Sequence, residues 1–354
     1  MSRAERKKDH INYALSAETK TKNSFDDVRF VHNSLPETSV SQIDQFVSIG
    51  ELCLSSPIII NAMTGGGGKE TERMNECLAA AARDTGAAMA VGSQMAAFKD
   101  PAEERTYNVV RKVNKDGVIF ANLGSELTLE QAKQAVDMVD ANALQIHLNV
   151  IQELVMPEGD RDFNGALETI SEIAASLHVP VIIKEVGFGL SYEAVTQLKQ
   201  TNVQVVDTGG NGGTNFAEIE NKRRNEPFEF FNKWGLAAVP SIVESVHAAS
   251  RSISVIGSGG VRNGYDIAKA IALGADAAGM AGKVLAAADQ GGKEGAKRFI
   301  NKCQEELKMI MTAVGAKRIS DLKNAPLVLT GESNHWLEER GFPPSYYSRK
   351  RLGK

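Results

Sequence analysis

The sequence predicts an α/β protein: a closed (β/α)8 TIM barrel with an N-terminal extension and a C-terminal helix. Three observations carry the prediction. From Pro57 onward, short apolar runs that end in small or polar residues alternate with helical patterns. Eight such runs fall within roughly 230 residues, the size of a closed (β/α)8 domain. The last two runs are each followed by glycine-rich residues, where barrels of this kind hold phosphate groups. Strands alternating with helices make right-handed βαβ units and hence a parallel sheet. A doubly wound open sheet is the competing architecture, and the number of runs favours closure.

Taken in order, residues 1–56 are basic at first and then mixed, without a clean period, and read as an extension that wraps the domain. Residues 57–314 read as the barrel and 315–354 as a C-terminal extension. The expected strands are residues 58–63, 87–93, 117–123, 144–149, 180–184, 203–207, 253–257 and 277–281. The fourth is the one around which the rest is organised. Side chains alternate along a strand, so Leu144, Ile146 and Leu148 share one face while Gln145, His147 and Asn149 share the other. Such a polar comb needs hydrogen-bond partners or a ligand, although a sheet with one wet face would alternate in the same way. Thr128 to Gln131 is a capping-box pattern opening a helix, and Tyr265 to Leu273 is amphipathic. Residues 211–234 form a long insertion after the sixth run, a length usual for lids or disordered segments. Gly291 to Val314 reads as a final long helix, and the basic run Ser348 to Lys354 as a solvated tail.

Composition narrows the function. The chain has 354 residues, 42% of them hydrophobic, and 40 Lys and Arg against 44 Asp and Glu, a formal charge of -4. With no large one-signed block in the body of the chain, nothing favours a nucleic-acid or membrane surface. Cys53, Cys77 and Cys303 are far apart, which supports neither a disulfide framework nor a zinc site. No apolar leader follows the N-terminus and no run is long enough to span a bilayer. A soluble cytoplasmic protein is expected.

Reactive groups in such barrels sit at the C-terminal ends of strands. Those ends carry Thr64, Ser93, Gln94, Asn122, His147, Asn149, Lys184, Glu185 and Asp207. After the last two strands, Gly257 to Arg262 and Gly279 to Lys283 let backbone N–H groups approach a phosphate; tight βα turns are the alternative reading of the same glycines. Neither segment is a dinucleotide or P-loop fingerprint, because Arg262 stands where a third glycine would be and no P-loop spacing exists. The phosphate then belongs to a ligand bound in the barrel mouth. An FMN placed there would meet Met63, Ser93, Asn122 and Lys184, and a lysine ammonium near its pyrimidine edge would stabilise negative charge on reduced flavin. An ion pair with an acidic neighbour is the alternative for Lys184. Glu153 is the natural Mg²⁺ ligand, since magnesium takes one or two carboxylates and fills its shell with water and phosphate oxygens. That combination points to a diphosphate substrate. The arm Arg6-Lys7-Lys8-Asp9-His10 could supply cations to it, or could be a solvated tail.

Together, Arg6-Lys7 with His10, Met63-Thr64-Gly65-Gly66, Gly92-Ser93-Gln94, Asn122, Gln145 to Asn149 with Gln152-Glu153, Lys184-Glu185, Asp207 to Gly210, Gly259 to Arg262 and Met280 to Gly282 resemble the type 2 isopentenyl-diphosphate delta-isomerases. The similarity covers essentially the whole chain in order. His147-Leu148-Asn149 followed by Gln152-Glu153, with the basic arm, is the specific part; the glycine loops are shared with many FMN barrels. The resemblance implies an enzyme of isoprenoid biosynthesis that interconverts isopentenyl and dimethylallyl diphosphate by moving a proton. FMN and Mg²⁺ would be its cofactors, and NADPH would serve only to reduce the flavin. It further implies that Ala62, Met63, Thr64, Ser93, Asn122, Lys184, Thr214, Ser258, Gly259, Gly260, Met280, Ala281 and Gly282 bind FMN. Arg6, Lys7, His10, His147, Asn149 and Gln152 would contact substrate, Gln152 and His147 at the catalytic position, and Glu153 would hold Mg²⁺. Reduced flavin would be the main acid and base. A homo-oligomer, tetramer or octamer, is expected on the same ground.

Rival readings meet specific obstacles. A 2-hydroxy-acid oxidase wants a His and Arg pair near the sixth strand, and an inosine monophosphate dehydrogenase a cysteine nucleophile; Asp207 to Asn215 contains none of these. A flavin- or phosphate-binding barrel without catalysis would leave the buried polar comb unpaired at a cost.

Overall fold

The computed structural model describes residues 23–350. Arg6, Lys7 and His10 lie outside the described residues. The extension contributes β1 (Val28–Phe30) and a hairpin of β2 (Val47–Ile49) and β3 (Leu52–Leu54). Eight parallel strands follow: β4 (Ile58–Ile60), β5 (Ala88–Ala90), β6 (Ile119–Gly124), β7 (Ala143–Leu148), β8 (Val181–Glu185), β9 (Val205–Asp207), β10 (Ser254–Ser258) and β11 (Ala277–Met280). They close into a barrel as β11 pairs with β4, Gly279 opposite Ile59. Each coincides with one of the apolar runs read from the sequence. Ile58, Ile59 and Ile60 show why these runs do not alternate: all three are buried, as expected of a strand with the barrel interior on one side and helices on the other.

Local signals explain the helices. The helix Leu129–Met138 opens on a true capping box, Gln131 N donating to Thr128 Oγ1 at 3.2 Å and Thr128 N to Gln131 Oε1 at 3.0 Å. These bonds satisfy two of the N–H groups that a helix start leaves without partners. The helix Gly264–Ala272 is capped by Asn263, whose Oδ1 accepts from the amides of Tyr265 and Asp266 at 3.0 Å each.

Three expectations are corrected. The last long helix starts at Gly282, not Gly291, and runs to Val314 with a break at Gly291 and Gly292. Gly292 has φ 57° there, a left-handed conformation that glycine adopts without penalty. The 211–234 insertion is not a plain loop: it holds the helix Phe216–Asn221 and the 3-10 turn Glu229–Lys233. Lys350 is not part of a solvated tail. Its ammonium donates to the carbonyls of Ala272 and Lys323, at 2.9 Å each, and lies over the rings of Tyr346 and Tyr347. Burial pulls its pKa down to about 8.

The extension is tied to the far end of the chain. β1 pairs antiparallel with β12 (Leu327–Leu329), Val28 opposite Leu329, and the Asp27 carboxylate accepts from Ser333 N and Oγ at 3.1 and 2.8 Å. Phe25 is fully buried, worth about 1.5–3 kcal/mol for a side chain of this size. Asn23 Nδ2 donates to Gly260 O at 2.7 Å and Arg262 pairs with Asp26 at 2.6 Å. The extension thereby braces the loop that leaves β10.

Candidate active site

A cavity of about 310 Å³ opens at the carboxyl ends of the barrel strands. Its wall can be followed strand by strand. Asn61, Ala62 and Met63 follow β4, Ser93 follows β5, and Asn122 lies in β6. β7 brings His147, and the helix Val150–Val155 behind it brings Gln152; β8 brings Lys184. Thr214 comes from the loop after β9, Ser258, Gly259 and Gly260 from the end of β10, and Met280, Ala281 and Gly282 from the end of β11.

The polar comb is a hydrogen-bonded chain. Asn122 Nδ2 donates to Gln145 Oε1 at 2.9 Å, and Asn122 Oδ1 lies 3.0 Å from His147 Nδ1. An amide that donates to Gln145 offers only its oxygen to the imidazole, so Nδ1 carries the proton and Nε2 is the ring's acceptor when neutral. Gln94 Oε1 anchors the Asn122 backbone N–H at 2.9 Å. Gln145 is fully buried, and its Nε2 has no partner among the described residues.

Lys184 meets both readings offered for it. It lines the cavity, and its Nζ donates to Glu185 O at 2.7 Å and stands 3.5 Å from Asp207 Oδ1. Asp207 is fully buried and also accepts from Asn61 Nδ2 at 2.9 Å and from the Ser258 hydroxyl. Ser258 is thus turned inward, its Oγ accepting in turn from Gly209 N at 3.0 Å. Next in the chain, Glu185 accepts from the amides of Gly187, Phe188 and Gly189. Burial outweighs those three donors and pushes its carboxyl up to about 7.

The glycines of the β9 and β10 loops pack backbone on backbone. At Gly259, φ 108°, a Cβ would fall 2.0 Å from Gly210 O; at Gly260, φ 71°, one would fall 2.3 Å from Gly212 O. No other residue fits there. Beside them Gly282 opens the final helix with nothing within 4 Å of where its Cβ would be, so a ligand can approach a helix N-terminus, a position that favours anions. Asn61 Oδ1, in the same wall, has no partner among the described residues. A backbone cradle for phosphate, an unpaired amide oxygen and a lysine at the rim of the barrel core fit an FMN.

Some expected site residues are placed apart. Thr64 does not line the cavity: its hydroxyl bonds Asn75, while its carbonyl accepts from Gly92 N at 2.7 Å. Asn149 does not continue the comb, because β7 ends at Leu148 and Asn149 caps the next helix at φ -135°, ψ 34°. It donates instead to Glu153 Oε1 at 2.8 Å. Gln152 reaches the cavity and Glu153 does not, since consecutive helical residues point about 100° apart. Glu153 also accepts from Asp160 N at 2.9 Å. Burial, aided by the charges of Asp160 and Glu126, holds its carboxyl above the ordinary range. A carboxylate so placed is relieved by a cation. No cluster of three or more His, Cys, Asp or Glu suited to a metal occurs among the described residues.

The sequence reading missed three features. Asn61 is hidden inside an apolar run. The glycines after Asp207 line the cavity, and their density was a usable signal. Glu220, fully buried in the insertion, lies 3.5 Å from Gln152 Nε2 and pairs with Arg223, which also holds Glu158 at 2.6 Å; nothing local in the sequence joins 152 to 220.

A family model described as FMN-dependent dehydrogenase matches residues 122–329. The isopentenyl-diphosphate delta-isomerase of Bacillus licheniformis is 54% identical over 350 residues, 99% of this chain and 100% of that protein. That of Bacillus pumilus is 53% identical over 348 residues, 98% of each. Among solved structures, a mandelate oxidase mutant with benzaldehyde superposes with TM-score 0.63 at 17% identity, covering 92% of this chain and 97% of that one. A lactate oxidase of Pediococcus acidilactici gives 0.65 at 16%, covering 91% and 87%. The two oxidases share the fold alone. No helix among the described residues is long and apolar enough to cross a membrane. The near-complete coverage at more than half identity decides the family: the chain belongs to the isopentenyl-diphosphate delta-isomerases, built on the FMN-dependent dehydrogenase barrel.

Proposed function

We propose that this enzyme interconverts isopentenyl and dimethylallyl diphosphate, with reduced FMN and Mg²⁺ bound. The observation that carries the reading is the wall formed by Asn122, His147 and Gln152. It is polar, each side chain is held by a partner, and the loop after β9 presents backbone glycines where an oxidase would need its His and Arg. Such a wall can orient a substrate without withdrawing a hydride from it. FMN held by the Gly259–Gly260 cradle and Lys184 would, when kept reduced by NADPH, supply acid and base chemistry for a proton shift with no net redox change.

The chain's own residues do the rest. Lys184, with Asp207 behind it, would set positive charge near a bound flavin. The Gly259–Gly260 cradle and the helix starting at Gly282 would hold the cofactor phosphate. Glu153, steadied by Asn149, would hold Mg²⁺ for the substrate diphosphate, and Arg6, Lys7 and His10 would supply further cations. Gln152, positioned by Glu220, and His147, positioned by Asn122, orient the reacting carbons and shield the cation-like state.

An anaerobic NMR assay in deuterated buffer tests the proposal, with isopentenyl diphosphate, protein, FMN, Mg²⁺ and NADPH beside a control lacking FMN. Dimethylallyl diphosphate and deuterium incorporation should appear only with flavin. FMN binding without either would leave the fold and cofactor reading standing and sink the substrate assignment.

A further inference from the structure

A second cleft lies on the outer wall of the barrel, well away from the cavity described above. It is bounded by the helices Gly68–Thr85 and Arg105–Val113 and by Lys293, the residue that resumes the last helix after its break. Its volume is about 640 Å³, within the range of small-molecule sites. Barrel helices run antiparallel to their strands, so the ends that carry Arg83 and Lys112 point to the face opposite the active site.

Five basic side chains line this cleft, Arg73, Arg83, Lys112, Lys115 and Lys293, against two acidic ones, Glu76 and Asp116. Arg83 is committed to Asp84 and to Val113 O. The other four cations have no ion pair among the described residues. Like charges gathered in this way repel one another, and in a protein of formal charge -4 the cluster does not follow from overall composition.

The floor is built as well as charged. Arg111 donates to the carbonyls of Asn114, Lys115 and Gly117 at 3.1, 3.0 and 2.9 Å, which fixes the turn bearing Lys115. Asn114 lines the cleft at 1% exposure, and its Nδ2 has no partner among the described residues. An unsatisfied buried donor beside unpaired cations calls for an acceptor-rich anion.

We propose that this cleft is a binding site for a polyphosphate anion, an inorganic or organic di- or triphosphate, distinct from the catalytic cavity. Several oxygens borne on adjacent phosphorus atoms are what a spread of four cations and a buried amide N–H would recognise together. The inference is independent of the isomerase reading.

Cys77 lines the cleft, whereas Cys53 is exposed elsewhere and Cys303 is buried, so the protein carries its own reporter and control. The full-length holoenzyme would be alkylated with iodoacetamide with and without inorganic tripolyphosphate, and labelling of each cysteine followed by peptide mass spectrometry. Tripolyphosphate should slow labelling of Cys77 and leave Cys53 unchanged. The paired substitution Lys112→Glu with Lys115→Glu should raise the half-protecting concentration at least about tenfold, because it places like charges against the ligand. Calorimetric titration of the same two proteins reads the contrast if Cys77 alkylates too slowly to follow. ATP in place of tripolyphosphate separates an organic from an inorganic source. Equal labelling of Cys77 with and without millimolar ligand, or equal protection in the charge-reversed protein, would overturn the proposal.

Discussion

Replacing Gln145 by leucine tests the hydrogen-bonded chain behind His147. Gln145 Oε1 is the acceptor that holds Asn122 Nδ2 at 2.9 Å. Without it a buried N–H loses its partner, a loss of about 1–3 kcal/mol. Turning the Asn122 amide over, so that Nδ2 donates to His147 Nδ1 and the ring proton moves to Nε2, re-pairs the N–H and leaves the amide oxygen facing leucine, an orphan that buried structure tolerates more readily. The same 1–3 kcal/mol is therefore the upper bound on the shift, at most about 5- to 150-fold in the tautomer ratio. Stability should change less, because leucine also removes the unpaired Nε2 of Gln145. The measurement is long-range 1H–15N correlation of histidine-labelled protein, which resolves the ring nitrogens of six histidines, with His147→Asn to assign the signal. The wild-type ring should be Nδ1-protonated and the variant should shift toward Nε2–H, with kcat reduced and FMN retained. A wild-type ring already protonated at Nε2, or a tautomer unmoved by the substitution, would refute the reasoning, since either result reverses or uncouples the two amides.

Two other outcomes follow from carboxyl groups near the cavity. The buried carboxyl of Glu185 has its pKa raised from 4.5 to about 7, so its contribution to stability is fully present below pH 4.5 and is lost as pH rises through 7. One pKa unit is worth about 1.4 kcal/mol, which sets the loss at about 3 kcal/mol. Urea midpoints measured between pH 5 and pH 8 should therefore fall more steeply for the native chain than for Glu185→Gln, and parallel curves would show that the carboxyl is not the source. Glu153→Gln should lower isomerase activity at least tenfold, the order seen when a metal site loses a supporting group, while flavin absorbance of the purified protein stays unchanged. Loss of flavin together with activity would place Glu153 in cofactor binding instead.

The barrel was legible because burial on both faces leaves apolar runs that survive in a single sequence, and β4 with its three isoleucines is the plainest case. The site was legible as far as it sits on strand ends: Asn122, His147 and Lys184 line the cavity from β6, β7 and β8. Extrapolation failed one residue beyond β7, where the period of two gives way to a helical turn and Asn149 swings away. Asn61, just past β4, was hidden because an apolar run tolerates one polar group whose partner, Asp207, is distant in sequence. Glu220 reaches Gln152 only through the fold of the insertion. Lys350 was misread because charge alone does not reveal that two tyrosine rings and two carbonyls wait for it. The break at Gly291 and Gly292 was read as a beginning, since paired glycines punctuate a helix equally well at either place.

The union of β1 with β12 imposes an order on biosynthesis. Asp27 and Ser333 are 306 positions apart, and at about 5–20 residues per second a ribosome needs about 15–60 s to travel between them. For that interval the nascent segment around Phe25 has no strand to join, although it holds the side chain that later meets the Gly260 carbonyl. The residues made among the first are secured among the last, and a translation pause anywhere in the barrel lengthens the time for which Phe25 stays in water, within reach of chaperones and proteases.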